Sequence, residues 1–290
     1  MKKKQKHYFD IAELSRQVNV EKPYFAFQQL WTDNGALVGT FSPEQPLVHE
    51  SGPVTAGELG RHMAILGSCT AVALHEGATG YYLATSAHFI RRQHHAAVTH
   101  EKYYASARVL ELDKRSLKVS AQVWNSEPVA EVICDYVILS PAVFKRNFRH
   151  YAAESPPAHL YSPYTQPVPV HSLTFQPDRL DACAGPLTPD QCAGHFSGYP
   201  CWPLAIISQT ALQVTGELLI KKYGAGTRFC VQEAKLSAEK LLGAGSMLTF
   251  RIQITPVPEN AGLLQGTIRV YHDDEQVAHM ESRLVLLPAG

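Results

Sequence analysis

Chemistry in this chain points first to one histidine. His195 sits in Ala193-Gly194-His195-Phe196-Ser197-Gly198-Tyr199-Pro200-Cys201-Trp202-Pro203, a glycine- and serine-bearing loop that runs straight into the apolar stretch 204–223. Imidazole is the side chain whose ordinary proton affinity lies nearest neutrality, so a loop histidine above a helix reads as a site. The apolar stretch also carries Gln209, Gln213 and Glu217. Each is one i,i+4 step from the last, which draws a polar stripe along one face of a helix.

The element below the loop must be that helix. Proline is tolerated at a helix start, where its missing N–H has no partner to lose. Pro203 therefore opens it, and Gly224 ends it. The stretch is apolar nearly all round, so the helix belongs inside the fold. Upstream, residues 8–18 read as a short amphipathic helix, and 24–41 as strand material broken by the hairpin signal Asp33-Asn34-Gly35. Thr55 and Glu58 have the spacing of a capping box, opening a helix that runs to about residue 76 and stops at Gly77. Four strands are expected at 81–90, 103–112, 117–124 and 129–139.

A linker rich in proline, serine and tyrosine over 152–170 separates this from a second round of the same order. A strand at 170–175 leads through a proline- and glycine-rich loop to His195 and the long helix. Further strands are expected at 228–236, 248–255, 266–271 and 277–287. Short matches recur in register. His49-Glu50-Ser51-Gly52 parallels His195-Phe196-Ser197-Gly198, Ala64-Ile65-Leu66 parallels Ala205-Ile206-Ile207, and Glu101-Lys102 parallels Glu239-Lys240. Loop, buried helix and antiparallel strands, twice over, predict an internal repeat with halves 1–155 and 156–290. Each helix needs a sheet to cover it, which gives an α+β layer fold, and two copies would join sheet edges into one continuous sheet.

Composition narrows the function. Lys+Arg and Asp+Glu balance at 26 each, so no net field favours nucleic acid or an anionic membrane. The clusters Arg91-Arg92 with His94-His95, and Lys145-Arg146 with Arg149-His150, could dock an acidic group or else be solvated loop charge. The basic start Met1-Lys2-Lys3-Lys4 is followed by no apolar run, and no stretch reaches the ~18 apolar residues of a membrane span. Six cysteines without a C-x-x-C pair suggest reduced thiols and a cytoplasmic home. No metal-ligand spacing, P-loop or G-x-G-x-x-G is present, so neither a metal nor a nucleotide cofactor is expected.

With these residues assembled, the sequence resembles the hotdog superfamily in its tandem, double-hotdog form. It is similar in particular to the 3-hydroxyacyl-carrier-protein dehydratases, whose loop reads His-Phe-Pro-Gly-x-Pro-Val-Met-Pro-Gly. Here the stretch His195 to Leu204 keeps His195, Phe196, Gly198, Pro200 and Pro203. Gln209-Thr210-Ala211-Leu212-Gln213 is close to the acid-bearing helix of those enzymes and of polyketide synthase dehydratase domains. The resemblance implies His195 as the base that removes an α-proton, and Gly198, with Tyr199 and Pro200 beside it, as the region that polarises the thioester carbonyl. It implies no separate cofactor, because the thioester arrives on phosphopantetheine or coenzyme A. The implied partner is an acyl carrier protein or an acyl-CoA, and a homodimer is allowed for.

One departure matters. The position of the family's acid is Gln209, and glutamine cannot protonate a departing hydroxide. In that family the histidine and acid meet across two hotdogs, so the partner of His195 is expected on the first helix. Ser68 is the repeat counterpart of Gln209 there, with Glu58, Arg61 and His62 nearby. His49 and Gln209 would form the counterpart pocket, and Gln213 could bind substrate or simply hydrogen-bond Gln209 or a loop backbone. Glu58 could equally serve only its cap, Cys201 could be a plain buried thiol, and Glu217 a solvated residue. Three functions stay open. The first is a dehydratase of 3-hydroxyacyl thioesters in fatty-acid or polyketide-type biosynthesis. The second is a thioesterase of the same fold. The third is an acyl- or partner-binding hotdog without turnover.

Overall fold

A computed structural model describes residues 6–75, 77–92, 102–154, 161–258, 260 and 262–287. Among them the chain forms α1 (Ile11–Gln17), β1 (Gln29–Asp33), β2 (Ala36–Phe41), α2 (Ala56–Leu74), β3 (Tyr81–Arg91), β4 (Tyr103–Leu112), β5 (Ser116–Trp124) and β6 (Pro128–Leu139). There follow α3 (Pro141–Asn147), β7 (Val170–Gln176), β8 (Arg179–Ala184), α4 (Leu204–Tyr223), β9 (Arg228–Ala238), β10 (Leu248–Pro256), β11 (Leu263–His272) and β12 (Glu275–Leu287). His94, His95, Glu101, Glu76 and the 155/156 boundary lie outside the described residues.

All twelve strands make one sheet in the order β1-β2-β4-β5-β6-β3-β9-β12-β11-β10-β8-β7. Read outward from the middle, the two halves run in the same order: β3 matches β9, β6 matches β12, and so on to the edges β1 and β7. The seam is the antiparallel pair β3–β9, with Ser86 opposite Ser237 and Phe89 opposite Ala234. His88 Nε2 and Glu233 Oε1 meet across it at 2.7 Å. One face of the sheet wraps α2 and α4, and the alternation of buried and open positions along β6, β8 and β11 follows from that one-sided cover.

Local chemistry sets the boundaries. Asn34 and Gly35 both adopt positive φ, 48° and 75°, the backbone of a tight hairpin between β1 and β2. Thr55 caps α2 by accepting from Glu58 N–H at 3.2 Å. Gly224, at φ 103°, ends α4. Two elements escape the sequence reading. β8 was expected to be loop, yet it is the counterpart of β2. α3, capped by Ser140, closes over the 193–203 loop through Phe144, whose ring meets those of Phe196 and Tyr199 edge-on at 5.3 and 5.4 Å.

Candidate active site

The helices α2 and α4 pack together with the first turn of α2, at Gly57, against the second turn of α4, at Gln209. A Cβ built on Gly57 would lie 2.3 Å from Gln209 Oε1 and 3.2 Å from Gln209 Cα, so only glycine admits this approach. A chamber opens on either side of the helix pair.

The larger, about 500 Å³, is lined mainly by apolar side chains from both halves and the seam strands. His195 and Ser68 both border it, as the repeat argument expects of a histidine from one half and a helix residue from the other. Hydrogen bonds hold the loop below His195: Glu21 N–H to Gly194 O at 2.9 Å, and His195 N–H to Cys192 O at 2.9 Å. The His195 ring stacks on Phe196 at 4.2 Å and meets Tyr24 edge-on at 4.9 Å. Its Nδ1 has no protein partner. Burial pushes its proton affinity down to about 4, against the opposing pull of backbone hydrogen bonds at His195 and Cys201. The ring is therefore neutral at ordinary pH and weaker as a base than the resemblance implies. Ser68 donates its hydroxyl to Ile65 O at 2.8 Å, within its own helix.

Several expected members stand elsewhere. Glu58 is fully buried and turned away from His195; its carboxylate accepts from Glu44 N–H at 2.8 Å and Gln45 N–H at 3.1 Å. Burial alone would raise its pKa. The bond and charge of His62, the Arg61 charge and the Glu44 amide outweigh that and hold it below the usual range. Glu58 thus ties a loop to α2. His62 is sealed by Phe41, stacked on it at 3.9 Å, and burial pushes its proton affinity down. Arg61 is also fully buried, paired with Glu44 and lying over the rings of Tyr24 and Tyr164. Gly198, Tyr199 and Pro200 face the 144–153 segment and the 244 turn: Gly198 O accepts from Ala153 N–H and Pro200 O from Ala244 N–H. With His195, the loop residues Phe196 and Trp202 and the first residue of α4, Leu204, line the chamber. Cys201 is buried, its thiol pushed up by desolvation, and none of the six cysteines is in a disulfide.

The smaller chamber, about 80 Å³, is bordered by His49 and Gln209, the pair that the repeat places together, and by Gln213. His49 Nε2 lies 3.1 Å from Glu217 Oε1, so Glu217 is engaged rather than merely solvated. Sequence reasoning missed the principal acid here, Glu50. It is 4 % exposed, and its Oε1 accepts from Ala56 N–H at 2.8 Å and Arg91 Nη2 at 2.6 Å. Burial pushes its carboxyl up to about 7, against the lowering effects of Arg91 and the Ala56 amide. Arg91 is therefore an interior residue and no docking group, whereas Arg92 pairs at the surface with Glu131 at 2.9 Å. A signal was available in principle: Glu50 precedes an α2 start whose first N–H groups attract a carboxylate.

Among the described residues no group of three or more His, Cys, Asp or Glu could hold a metal ion. No helix of the described residues is long and apolar enough to cross a membrane.

No protein-family model matches the sequence, and no curated protein matches it either. Solved structures do match. An acyl-CoA thioesterase II, TesB2, from Mycobacterium marinum aligns over 96% of this chain and 98% of its own, with 9% identity and a TM-score of 0.52. The 12:0-ACP thioesterase of Umbellularia californica aligns over 92% and 100%, with 9% identity and a TM-score of 0.55. A conserved protein of unknown function with a hot dog fold from Alicyclobacillus acidocaldarius aligns over 93% and 99%, with 12% identity and a TM-score of 0.54. With two sheet-wrapped helices in one repeated order and whole-chain matches of this kind, the chain is a tandem hotdog.

Proposed function

We propose that the protein is an acyl-thioester hydrolase, and that its substrate is an acyl chain on coenzyme A or on an acyl carrier protein. The observation that carries this reading is the large chamber: about 500 Å³, mainly apolar, built by both halves and bordered by the first turn of α2. Such a volume falls within the range of ligand pockets, roughly 300–1,000 Å³. An acyl tail fits its chemistry, and the positive end of the α2 dipole suits the carbonyl oxygen of a thioester. The neighbours named as acyl-CoA and 12:0-ACP thioesterases support the same reading.

Dehydration is less well supported. Expelling a hydroxyl as water needs a proton donor beside His195, and among the described residues the only carboxylate on the chamber lining is Glu239, exposed past the end of β9. Hydrolysis needs no such donor there. The same shortage of acids favours, as a second reading, an acyl-binding protein without turnover.

Thiol release from a series of saturated acyl-CoA and acyl carrier protein thioesters tests this. Turnover of at least one chain length is expected. Gly60 lines the chamber and a Cβ built on it meets nothing within 4 Å, so the ring of Gly60→Phe has a route into the chamber. That variant should lose long chains first. Tight binding with no release of thiol from any thioester would favour the non-catalytic reading.

A further inference from the structure

Two basic clusters stand out in the sequence, and the fold gives them different fates. Arg91 is locked inside the protein and Arg92 is paired with Glu131, whereas Lys145, Arg146, Arg149 and His150 are all exposed. Lys145 and Arg146 lie in the last turn of α3, and Arg149 and His150 open the 3₁₀ turn Arg149–Tyr151 that follows. From residue 140 to residue 153 the chain carries no acid. Among the described residues none of Lys145, Arg146 and Arg149 is drawn into an ion pair. A chain whose charges balance at 26 of each sign has thus gathered a positive ledge in one place.

The ledge is fixed, and it stands at the mouth of the large chamber. Phe144 is fully buried and stacked on Tyr81 at 3.6 Å, and Ala153 N–H donates to Gly198 O at 3.0 Å, so both ends are tied to the body of the fold. Between them Tyr151 donates its hydroxyl to Leu241 O at 3.3 Å and packs over Gly243, where a Cβ would lie 2.6 Å from its ring. Of the residues that line the chamber, four are exposed to solvent: Val137, His150, Glu239 and Lys240. They mark where the chamber opens, and His150 belongs to the ledge itself. Lys240 is paired with Glu275, and Glu239 is the one acid of the four.

We propose that this ledge docks the carrier of the acyl chain, and that the carrier is a protein with an acidic surface. The substrate is then an acyl chain on an acyl carrier protein, in preference to the same chain on coenzyme A. This rests on the hydrolase reading of the chamber.

Charge sets the sign of the partner, and spread sets its size. The phosphates of coenzyme A form a compact anion, best held where charged side chains and backbone N–H groups converge on one point. Here the cations are strung along a helix end and the turn after it, all of them in water. Such an array matches an extended acidic face. Exposed charges add little to a single contact but steer a large partner toward the surface that bears them. With the carrier held on the ledge, its phosphopantetheine arm brings the thioester in through the opening beside His150 while the carrier stays outside.

The test presents one saturated acyl chain to the intact protein on three carriers: an acidic bacterial acyl carrier protein, coenzyme A and bare pantetheine. The readout is kcat/KM for each, expressed as a ratio to acyl-pantetheine. In the variant Lys145→Glu, Arg146→Glu, Arg149→Glu the carrier-protein ratio should fall about tenfold or more, through KM, and the coenzyme A ratio much less. Raising salt from about 0.05 to about 0.5 M should lower the wild-type carrier-protein ratio as well, a measurement that needs no variant to fold. A carrier-protein ratio indifferent to the reversal, or to salt in the wild type, overturns the docking proposal and leaves the hydrolase standing. An equal loss on coenzyme A also overturns it, because the ledge then reads phosphate. Absence of turnover on every thioester removes the hydrolase reading instead. Fluorescence anisotropy of the labelled carrier protein then decides the docking alone: binding that the reversal weakens supports it, and no binding to the wild type overturns it.

Discussion

The two chambers flanking the α2–α4 crossing occupy matching places in a duplicated fold and have opposite chemistry. The His195 side is large, apolar and holds a neutral imidazole; the His49 side is small, polar and holds Glu50 with Arg91. Burial acts on both in the same physical sense, against charge. It pushes the imidazole down to about 4 and the carboxyl up to about 7. One side is shaped by apolar lining around an uncharged ring, and the other by a buried acid gripped by an arginine.

The comparison can be broken most strongly at Arg91. Its guanidinium is buried and bonds Glu50, Val54 O and Val231 O, so Arg91→Met strands a buried acid. A loss of about 3–5 kcal/mol is expected from urea unfolding. Adding Glu50→Gln should recover part of it, and a double variant no more stable than Arg91→Met would mean that Glu50 is not the stranded partner.

Gly57→Ala comes next. Its methyl would meet the backbone of Gln209 as well as its amide, and overpacking of this kind costs about 1–3 kcal/mol. Since the same contact separates the chambers, acyl-thioester turnover should fall as well. Wild-type stability in this variant would show that the helices do not approach as closely as described.

The two buried groups also oppose each other in the pH dependence of stability. His195 is depressed from an ordinary 6.5 to about 4, so its contribution is present above 6.5 and lost as pH falls toward 4. Glu50 is raised from 4.5 to about 7, so its contribution is present below 4.5 and lost as pH rises through 7. Between 4.5 and 6.5 they pull in opposite directions. Thermal melts of His195→Phe should show stability declining with pH across that window, and melts of Glu50→Gln should show it rising more steeply than in wild type. The smallest effect is Gly60→Ala: the added Cβ has open space, and relief of glycine in a helix interior should stabilise by about 0.5–1 kcal/mol.

Much of the fold could be read from periodicity and punctuation. Asn34-Gly35, Thr55 and Gly224 mark real boundaries because each answers a local backbone demand. β8 was lost among prolines and glycines although Arg179-Leu180-Asp181-Ala182-Cys183-Ala184 alternates as a half-buried strand does. The site was less legible. That His195 and Ser68 border one chamber follows from the repeat, but which way a helix residue turns does not. Glu58 has the spacing of a capping box, and Thr55 does accept its N–H, yet the carboxylate reaches back to residues 44 and 45. Glu50 resembles any loop acid until Arg91, 41 positions later, is folded against it.

The β3–β9 seam has a consequence beyond packing. Two identical hotdogs meeting at that edge would carry every substitution twice, once in each chamber, and any change that suited one site would be imposed on the other. Joined in one chain, the halves change independently. Ser68 can stand where its repeat partner is Gln209, and Glu50 where its partner is Phe196. The linked sheet keeps the shared architecture while freeing each chamber to acquire its own chemistry.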